Sequence, residues 1–406
     1  MPPVLSIIAA NPGIRISAIA IFFFGLSGAT TAPYMSIIGI HELGLSNAHY
    51  SLLIFIASCV NVAASVAVGI LADRLGHFRM PMVIVSLFGV VGYGVVFLEP
   101  NQIIFVGSAL LLLPVYNALN SLIFANVRAA SKDMPVRELI AVNSGVRAVI
   151  SASWVLVPGL VGFFLAGQKS MLPAFLFASL GGLACFVLFL VWLPKAEARA
   201  EPSASLAFFS SLSKIASPGL LLRLGAIALI TAMLQMNGVV LPLVMTGPAH
   251  GTTGDVGVIV GIVAFLEIVF ILFWGWVERK TSSVATLVAG ALIYCVYLLG
   301  LGFASRPEHV YLLSGVAGFG AAAIISVPIT YLQNLIADRA GLGSSLIAVN
   351  IFLSGGLNSL LFAFGTGVSN YSGTAMLGAL AGFCGILLLL ILEKPRSFKV
   401  SIERNA

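Results

Sequence analysis

Two charged residues lie deep inside long apolar stretches of this 406-residue chain. Arg147 lies in the stretch 138–165, ~13 Å of helical rise from its start, and Glu267 lies near the middle of the stretch 254–277. A charge in such surroundings is costly unless it finds a partner. Both residues are therefore the first candidates for ligand binding, gating, proton transfer or a stabilising ion pair.

Uncharged polar side chains occur at similar depths in other apolar stretches. The six amides are those of Asn61, Asn117, Asn120, Gln235, Asn237 and Asn358. Amides both donate and accept hydrogen bonds, so they suit a neutral polyol and select no charge. Hydrogen bonds between helices are the alternative role for each of them. Their concentration at mid-depth favours a shared polar cavity.

One predicted helical face combines a charge with an aromatic ring. Asn143, Arg147, Ser151 and Trp154 follow spacings of four, four and three, which places them along one face of a helix. A sugar would suit this face, because its hydroxyls need directional hydrogen bonds while its C–H face stacks on a ring. A stripe that packs against another helix would have the same pattern, so both interpretations stay open.

The residues that catalysis or metal binding would need are scattered. The five histidines form no HExxH motif, and the four cysteines lie in apolar blocks without CxxC spacing. We therefore expect no metal, no cofactor, no catalytic residue and no nucleic-acid partner, and we do not expect an enzyme. A membrane enzyme acting on lipid-linked substrates, or a channel or receptor, is a distant alternative.

The elements that position these side chains are predicted to be transmembrane helices. The sequence is 60% apolar and only 8% charged, against about a quarter charged for a soluble domain. Its apolar blocks reach the ~20 residues that a helix needs to cross a bilayer. The twelve predicted spans are 14–39, 48–71, 80–98, 102–127, 138–165, 171–193, 218–245, 254–277, 283–304, 309–335, 344–368 and 374–392. The sequence therefore predicts an all-α integral membrane protein.

The basic residues predict its orientation. An even number of spans places both termini on one side of the membrane. Of the 20 Lys and Arg residues, all but Lys169, Arg306 and the intramembrane Arg147 lie on that side. The positive-inside rule therefore predicts cytoplasmic termini. The N-terminus lacks a basic leader with a cleavage site, so we expect the first span to be retained.

The chain is predicted to consist of two six-helix halves. Residues 1–193 form the first half, 194–217 a cytoplasmic linker, and 218–406 the second half with a short cytoplasmic tail. The pentapeptide that opens span five at Leu139 recurs at the start of span eleven at Leu346. A chance match is the alternative, but its place in corresponding helices favours an internal repeat.

The loop between spans two and three carries the most specific motif. It reads Gly69-Ile-Leu-Ala-Asp73-Arg74-Leu-Gly76-His-Phe-Arg79. This resembles the G-x-L-A-D-R-x-G-x-x-R signature of the major facilitator superfamily. The resemblance implies twelve transmembrane helices in two pseudo-symmetric six-helix halves, with substrate bound between them. It also implies a cytoplasmic charge latch in which Asp73, Arg74 and Arg79 serve coupling or gating. A solvated turn with ordinary inside-positive charges is the alternative.

A second motif narrows the resemblance. His41-Glu-Leu-Gly-Leu-Ser46 is similar to the E-L-G-L-S stretch of bacterial sugar efflux transporters. This implies a secondary active transporter in the bacterial inner membrane that exports a sugar by alternating access, with protons as a candidate coupling ion. We expect a monomer whose partners are its small-molecule substrate and membrane lipids.

A drug or metabolite efflux antiporter is the main alternative. Val157-Pro158-Gly159-Leu-Val-Gly162 resembles the Gly-Pro motif of drug/proton antiporters. However, the predicted span four has no basic residue, although antiporters of that group often carry an arginine there.

The same resemblance suggests how the two isolated charges meet. In the major facilitator architecture spans five and eight are neighbours, so we expect Arg147 and Glu267 to form an ion pair. Pairing lowers the cost of burying each charge. The pair would serve substrate contact, gating or proton coupling, or it would be a static brace between helices. We expect substrate contacts from Asn61, Asn117, Asn120, Arg147, Trp154, Gln235, Asn237, Glu267 and Asn358.

Overall fold

The computed structural model describes residues 4–165, 167–168, 170–194, 217–335 and 340–393. Lys169, most of the predicted linker and the predicted cytoplasmic tail lie outside these ranges, as does the side chain of Asp73. Across the described ranges the regular secondary structure is helical, without a strand.

Twelve of the described helices are long and apolar enough to cross a membrane, which confirms the number of predicted spans. Spans one to twelve are Pro12–Tyr34, Asn47–Ala72, Arg79–Leu98, Gln102–Ala130, Arg137–Phe164, Pro173–Trp192, Pro218–Thr246, Thr253–Lys280, Ser283–Gly302, Pro307–Asn334, Leu346–Val368 and Tyr371–Glu393. The α-helices of spans two, five and eleven extend further, over Asn47–Leu75, Val136–Phe164 and Ala340–Val368. A short helix, Val4–Ala10, precedes span one.

The chain forms two compact units. Among the described residues, the first unit contains spans one to six together with Thr252–Gly261, the start of span eight. The second unit contains span seven, the rest of span eight from Ile262, and spans nine to twelve. The candidate residues of each unit are positioned by the helices of that unit.

Span one is less regular than the continuous helix predicted over 14–39. Its α-helix ends at Thr31, followed by a 3₁₀ turn over Ala32–Tyr34 and a π turn over Ile37–Glu42. The reason is Pro33, which has no N–H for an α-helical hydrogen bond. The helical path therefore changes in the part of span one that lines a cavity of the first unit.

The motif at residues 41–46 joins spans one and two. Glu42 accepts hydrogen bonds from the Met171 N–H, at 2.7 Å, and from the Ser170 hydroxyl. Gly44 adopts φ +76°, a left-handed conformation that favours glycine. The Ser46 hydroxyl accepts a hydrogen bond from the His49 N–H and so caps span two. The motif that resembles sugar efflux transporters thus has a structural role at this turn.

Close contacts at glycines pack the helices within each unit. A Cβ atom built on Gly89 would lie 2.4 Å from the Tyr116 ring, and one on Gly182 would lie 3.0 Å from the Val90 nitrogen. In the second unit, a Cβ on Gly382 would lie 2.1 Å from the Met233 sulfur. Small residues at these crossings let helices approach closely, as is typical of membrane proteins.

An ion pair links three spans of the second unit. Arg223 in span seven donates a hydrogen bond from Nε to Glu393 Oε1 at 2.6 Å, and from Nη2 to the Leu392 carbonyl at 3.1 Å. The Tyr331 hydroxyl of span ten donates to the same Glu393 oxygen at 2.9 Å. Cations near a helix C-terminus also interact favourably with its dipole. Arg223 therefore holds the end of span twelve against spans seven and ten.

Candidate functional site

A cavity of about 320 Å³ lies within the first unit and is lined by spans one to five. Its polar lining residues come from all five spans. They are Thr31, Tyr50, Asn61, Tyr93, Asn117 and Trp154. Three of them, Asn61, Asn117 and Trp154, belong to the predicted site, so the structure brings these three together. The remaining lining residues are mainly apolar, among them Met35, Leu53 and Leu113.

The Asn61 amide has an unused hydrogen-bond acceptor. Its Oδ1 atom is buried and has no hydrogen-bond partner among the described residues. An unpaired buried polar atom costs about 1–3 kcal/mol, which a ligand hydroxyl can offset by donating to it. Because the atom is buried, a ligand hydroxyl in the cavity would reach it only after a rotation of the Asn61 amide.

A break in span four positions Asn117. The span runs as a helix over Gln102–Gly107, a π turn over Ser108–Leu112, and two further helices, Leu113–Asn117 and Leu119–Ala130. Asn117 is thus the last residue of a short helix and lies exposed in the cavity wall. Pro114, which lacks an N–H, favours this interruption. The irregular helix places an amide where a continuous helix would orient it differently.

Buried hydrogen bonds fix the wall behind the cavity. The Tyr116 hydroxyl donates to the Ser27 hydroxyl at 3.0 Å, and Ser27 donates in turn to the Ala178 carbonyl at 2.8 Å. The rings of Tyr116 and Tyr93 pack edge to face, 5.8 Å apart. These contacts connect spans one, three, four and six. They hold Tyr93 and the residue next to Asn117 in place, which preorganises the cavity.

The indole of Trp154 lies against span one. A Cβ atom on Gly28 would be 3.6 Å from Trp154 Cζ2, an ordinary van der Waals distance. Both residues line the cavity. The ring therefore contributes a flat apolar surface to the cavity wall, which also holds polar groups, and this combination suits a ligand with an apolar face and several hydroxyls.

Span five packs closely on the start of span eight, which belongs to the same unit. A Cβ atom on Gly257 would lie 2.2 Å from the Pro158 carbonyl oxygen and 2.4 Å from the Tyr34 hydroxyl. Tyr34 itself donates a hydrogen bond to the Pro158 carbonyl at 3.4 Å. Gly162 and Gly254 approach each other in the same way. The residues of the Gly-Pro motif thus form a tight helix crossing.

Arg147 lies two helical turns from Trp154 on span five. Its side chain is exposed, and the guanidinium lies over the Phe124 ring, 5.4 Å from the ring centre. Asn120, one turn before Phe124, does not line the cavity, although its Oδ1 atom is buried without a partner among the described residues. The structure therefore places Arg147 and Asn120 beside the cavity and not in its wall.

The predicted site residues of the second unit have different surroundings. The Asn237 Oδ1 atom accepts a hydrogen bond from the Tyr297 hydroxyl at 2.7 Å, so this amide oxygen already has a partner. Gln235 is exposed and Glu267 is half-buried. Asn358 is only 1% exposed, and its Oδ1 atom has no partner in the described part of the chain. Asn237 is thus engaged between helices, as the alternative interpretation of the amides allowed.

The predicted latch residues lie at the end of span two and the start of span three. Arg74 is exposed in the last turn of its helix. Arg79 donates hydrogen bonds to the Phe189 carbonyl, at 3.2 Å, and to the Leu190 carbonyl. These carbonyls belong to the end of span six, where the helix passes into a π turn over Leu188–Trp192. Arg79 therefore ties span three to span six within the first unit.

Sequence reasoning missed several residues of the site. Tyr50, Tyr93 and Thr31 line the cavity but were not predicted. Tyr93 stands between two glycines in the middle of span three, a pattern that signals a large side chain at a close helix crossing. Among the described residues, no group of three or more His, Cys, Asp or Glu side chains is arranged to hold a metal ion.

Twelve helices long and apolar enough to cross a membrane, five of which line a mainly apolar cavity with a few polar groups, are typical of a polytopic membrane protein. Residues 17–235 match the family described as the Major Facilitator Superfamily. The chain belongs to this superfamily of transporters. The resemblance carried by the loop motif at Gly69–Arg79 is thereby confirmed, as is the major facilitator fold.

Two named relatives match most of the chain. A Deinococcus radiodurans protein that bears the name of a sugar efflux transporter is 28% identical over 346 residues, covering 81% of this chain and 84% of that protein. The sugar efflux transporter C of Escherichia coli K12 is 22% identical over 379 residues, covering 91% and 93%. The similarity to the sugar efflux branch thus extends well beyond the short motif at residues 41–46.

Solved structures show the same fold at low sequence identity. A mutant of the nucleoside transporter NupG has a TM-score of 0.78 at 13% identity, covering 94% of this chain and all of that one. The peptide transporter POT in complex with sulfate has a TM-score of 0.77 at 15% identity, covering 95% of both chains. At such identities the likeness establishes the fold and leaves the substrate to be argued from the site.

Proposed function

We propose that the protein is a secondary transporter that exports a sugar, or a similar small polar solute, by alternating access. One observation carries the proposal: the amides of Asn61 and Asn117 and the indole of Trp154 line one cavity. The names of the two relatives support a sugar as the solute. The cavity volume of about 320 Å³ falls in the range of small-molecule sites.

The chemistry of the cavity suits a polyol. Each amide can donate to one hydroxyl and accept from another, and the free Asn61 oxygen needs a donor. The indole of Trp154 offers a flat face to the C–H groups of a sugar ring. Directional hydrogen bonds on one side and stacking on the other would orient such a ring without a charge in the cavity wall.

The other predicted site residues remain proposals. Candidates for substrate binding in the second unit are Gln235, Asn237, Glu267 and Asn358. Further candidates in the first unit are Asn120 and Arg147. For coupling or gating we retain Arg147, Glu267, Asp73, Arg74 and Arg79, with protons as a candidate coupling ion.

For localisation we propose the bacterial inner membrane, with both termini in the cytoplasm and a monomeric protein in contact with lipid. The distribution of Lys and Arg along the sequence supports this orientation. At the predicted cytoplasmic end of span eight, the Lys280 ammonium lies 4.1 Å from the centre of the Trp276 ring. Tryptophan and lysine at a helix end are typical anchors at a membrane interface.

A flux assay tests the proposal. The purified protein in proteoliposomes should move one or more labelled mono- or disaccharides, with a rate that saturates and with no chemical change in the sugar. Measurements with and without a proton gradient decide the coupling. Failure of every saccharide to move, or flux that rises without saturation, would contradict a sugar transporter.

A drug or metabolite antiporter is the second candidate. The observation that favours it is the close crossing of Pro158 and Gly162 with Gly257 and Gly254, since the span-five segment resembles the Gly-Pro motif of drug/proton antiporters. In the same proteoliposomes, proton-driven transport of lipophilic cations without competition by sugars would support this candidate over sugar export.

A further inference from the structure

Arg147 provides a positive charge on the same face of span five as the cavity. It precedes Trp154 by seven residues, so the two side chains differ by about 20° around the helix axis and ~10 Å along it. Trp154 lines the cavity and Arg147 is exposed. Arg147 therefore faces the same side of the helix as the cavity, toward its predicted cytoplasmic end.

The guanidinium has no anionic partner within the described residues of its own unit. No Asp or Glu of that part of the chain lies within 4.0 Å of it. Its described contact is the Phe124 ring, 5.4 Å away. A cation over an aromatic face gains only part of what an ion pair provides, and the guanidinium carries five N–H donors. Within the described part of its own unit, the charge is therefore available to a ligand.

Span four continues the same polar path. Phe124 follows Asn117 by seven residues, and the Asn120 oxygen between them is buried without a partner among the described residues. The Asn117 amide of span four and the Trp154 indole of span five thus lie at one level. The Phe124 ring of span four and the Arg147 guanidinium of span five lie two helical turns away. Of these four side chains, Arg147 is the charged one.

We propose that Arg147 binds an acidic group of the substrate, so that the solute is an anionic saccharide. This inference rests on the proposed function and adds the charge of the substrate to it. A guanidinium and a carboxylate form two parallel hydrogen bonds, which are short and charge-assisted. The bound anion also neutralises a charge that is costly inside a membrane span. The sugar ring occupies the cavity, and the acidic group lies on the side of Arg147.

Matched neutral and acidic sugars test the proposal in proteoliposomes. The pairs are glucose with glucuronate, galactose with galacturonate, and lactose with lactobionate, each measured as a competitor of the saccharide that the protein moves. The acid of at least one pair should compete at a concentration about tenfold lower than its neutral partner, which corresponds to ~1.4 kcal/mol. In the Arg147→Gln variant, the ratio of the neutral to the acidic competing concentration should fall close to one. In Arg147→Lys, the acid should still compete at a lower concentration than its neutral partner, by a smaller factor than in the wild type.

The control is Arg137→Gln, the same substitution at an exposed position at the start of the same helix. It should leave the ratio unchanged. Equal competition by acid and neutral partner in every pair, or a preference that survives Arg147→Gln, would overturn the inference while the sugar transporter stands. If no saccharide moves at all, the proposed function fails as well. If Arg147→Gln does not fold, the same concentration ratios measured for the wild type and for Arg147→Lys still test whether Arg147 binds the acidic group.

Discussion

The carboxylate of Glu42, at the end of span one, accepts a hydrogen bond from the backbone N–H of Met171, which leads into span six. The second oxygen of the same carboxylate accepts from the Ser170 hydroxyl. A charged acceptor on a backbone N–H is among the stronger hydrogen bonds in proteins. Glu42 therefore ties together two helices of the first unit that are distant in sequence.

Replacing Glu42 with alanine should lower the stability of the protein. The Met171 N–H would lose its acceptor, and we expect a loss of ~1–3 kcal/mol, seen as a lower apparent melting temperature in detergent. Glu99→Ala is the matched control, because Glu99 is exposed in another loop and its carboxylate accepts no described hydrogen bond. Equal shifts in both variants would show that the Glu42 contact contributes nothing specific.

Asn61→Ala and Asn117→Ala should raise the KM for the transported sugar, with a smaller effect on kcat. Each lost hydrogen bond corresponds to ~1–2 kcal/mol, or about 5- to 30-fold in KM. Asn126→Ala is the control, since Asn126 lies on the same span as Asn117, donates to the Ser17 hydroxyl and does not line the cavity. An unchanged KM in both cavity variants would remove these amides from the substrate site.

Gly89→Ala should destabilise the first unit. The new methyl group would lie 2.4 Å from the Tyr116 ring, which is buried and hydrogen-bonded to Ser27, so the ring cannot move freely. Overpacking of this kind costs ~1–3 kcal/mol. Gly107→Ala serves as the comparison, because a Cβ atom there meets no atom within 4 Å. Thermal unfolding should therefore separate the two variants, and a stability of Gly89→Ala equal to that of Gly107→Ala would contradict the tight crossing.

Asp73→Asn should slow transport while substrate binding remains measurable. The sequence places Asp73 in the predicted cytoplasmic latch, away from the cavity residues. Removing its charge should affect the switch between conformations and not recognition. Binding can be followed by ligand-induced thermal stabilisation and transport by counterflow. Loss of binding in a folded variant would count against the latch.

Glu267→Gln should abolish transport driven by a pH gradient but spare sugar exchange, if this carboxylate carries the coupling proton. An amide of the same shape cannot be protonated and deprotonated. The pairing of Glu267 with Arg147 stays a prediction, which a double-mutant cycle with alanine at each position would test. Interacting residues typically show coupling of ~0.5–3 kcal/mol, so strictly additive effects would refute the pair.

The spans were predictable because length and hydropathy decide membrane insertion, whereas the local path of each helix depends on its neighbours. Pro33 and Pro114 were visible in the sequence, yet proline is tolerated inside membrane helices and does not by itself state where a helix changes to a 3₁₀ or π turn. The break that exposes Asn117 depends also on the Ser108 hydroxyl, which donates to the Gly92 carbonyl of span three at 2.6 Å. That contact exists only once the two spans are packed.

The sequence indicated which types of residue the candidate site contains, but it did not indicate which of these residues lie together. Asn61, Asn117 and Trp154 line one cavity, because polar side chains in apolar helices turn toward other protein groups. Their role in substrate binding stays a prediction. Asn237 has the same residue type, but the Tyr297 hydroxyl occupies its oxygen. Spacing along one helix cannot show which partner a side chain finds on another helix.

Among the described residues, the cavity is lined by spans one to five, which has an evolutionary consequence. Under the proposed function, substitutions that change the first unit's part in recognition fall within one continuous stretch of the gene, between the codons for Gly28 and Trp154. Recombination between relatives at the linker would exchange that stretch intact. Under the proposed function, the first unit's part in solute preference can therefore change by replacing a single gene segment, separately from the part proposed for the second unit.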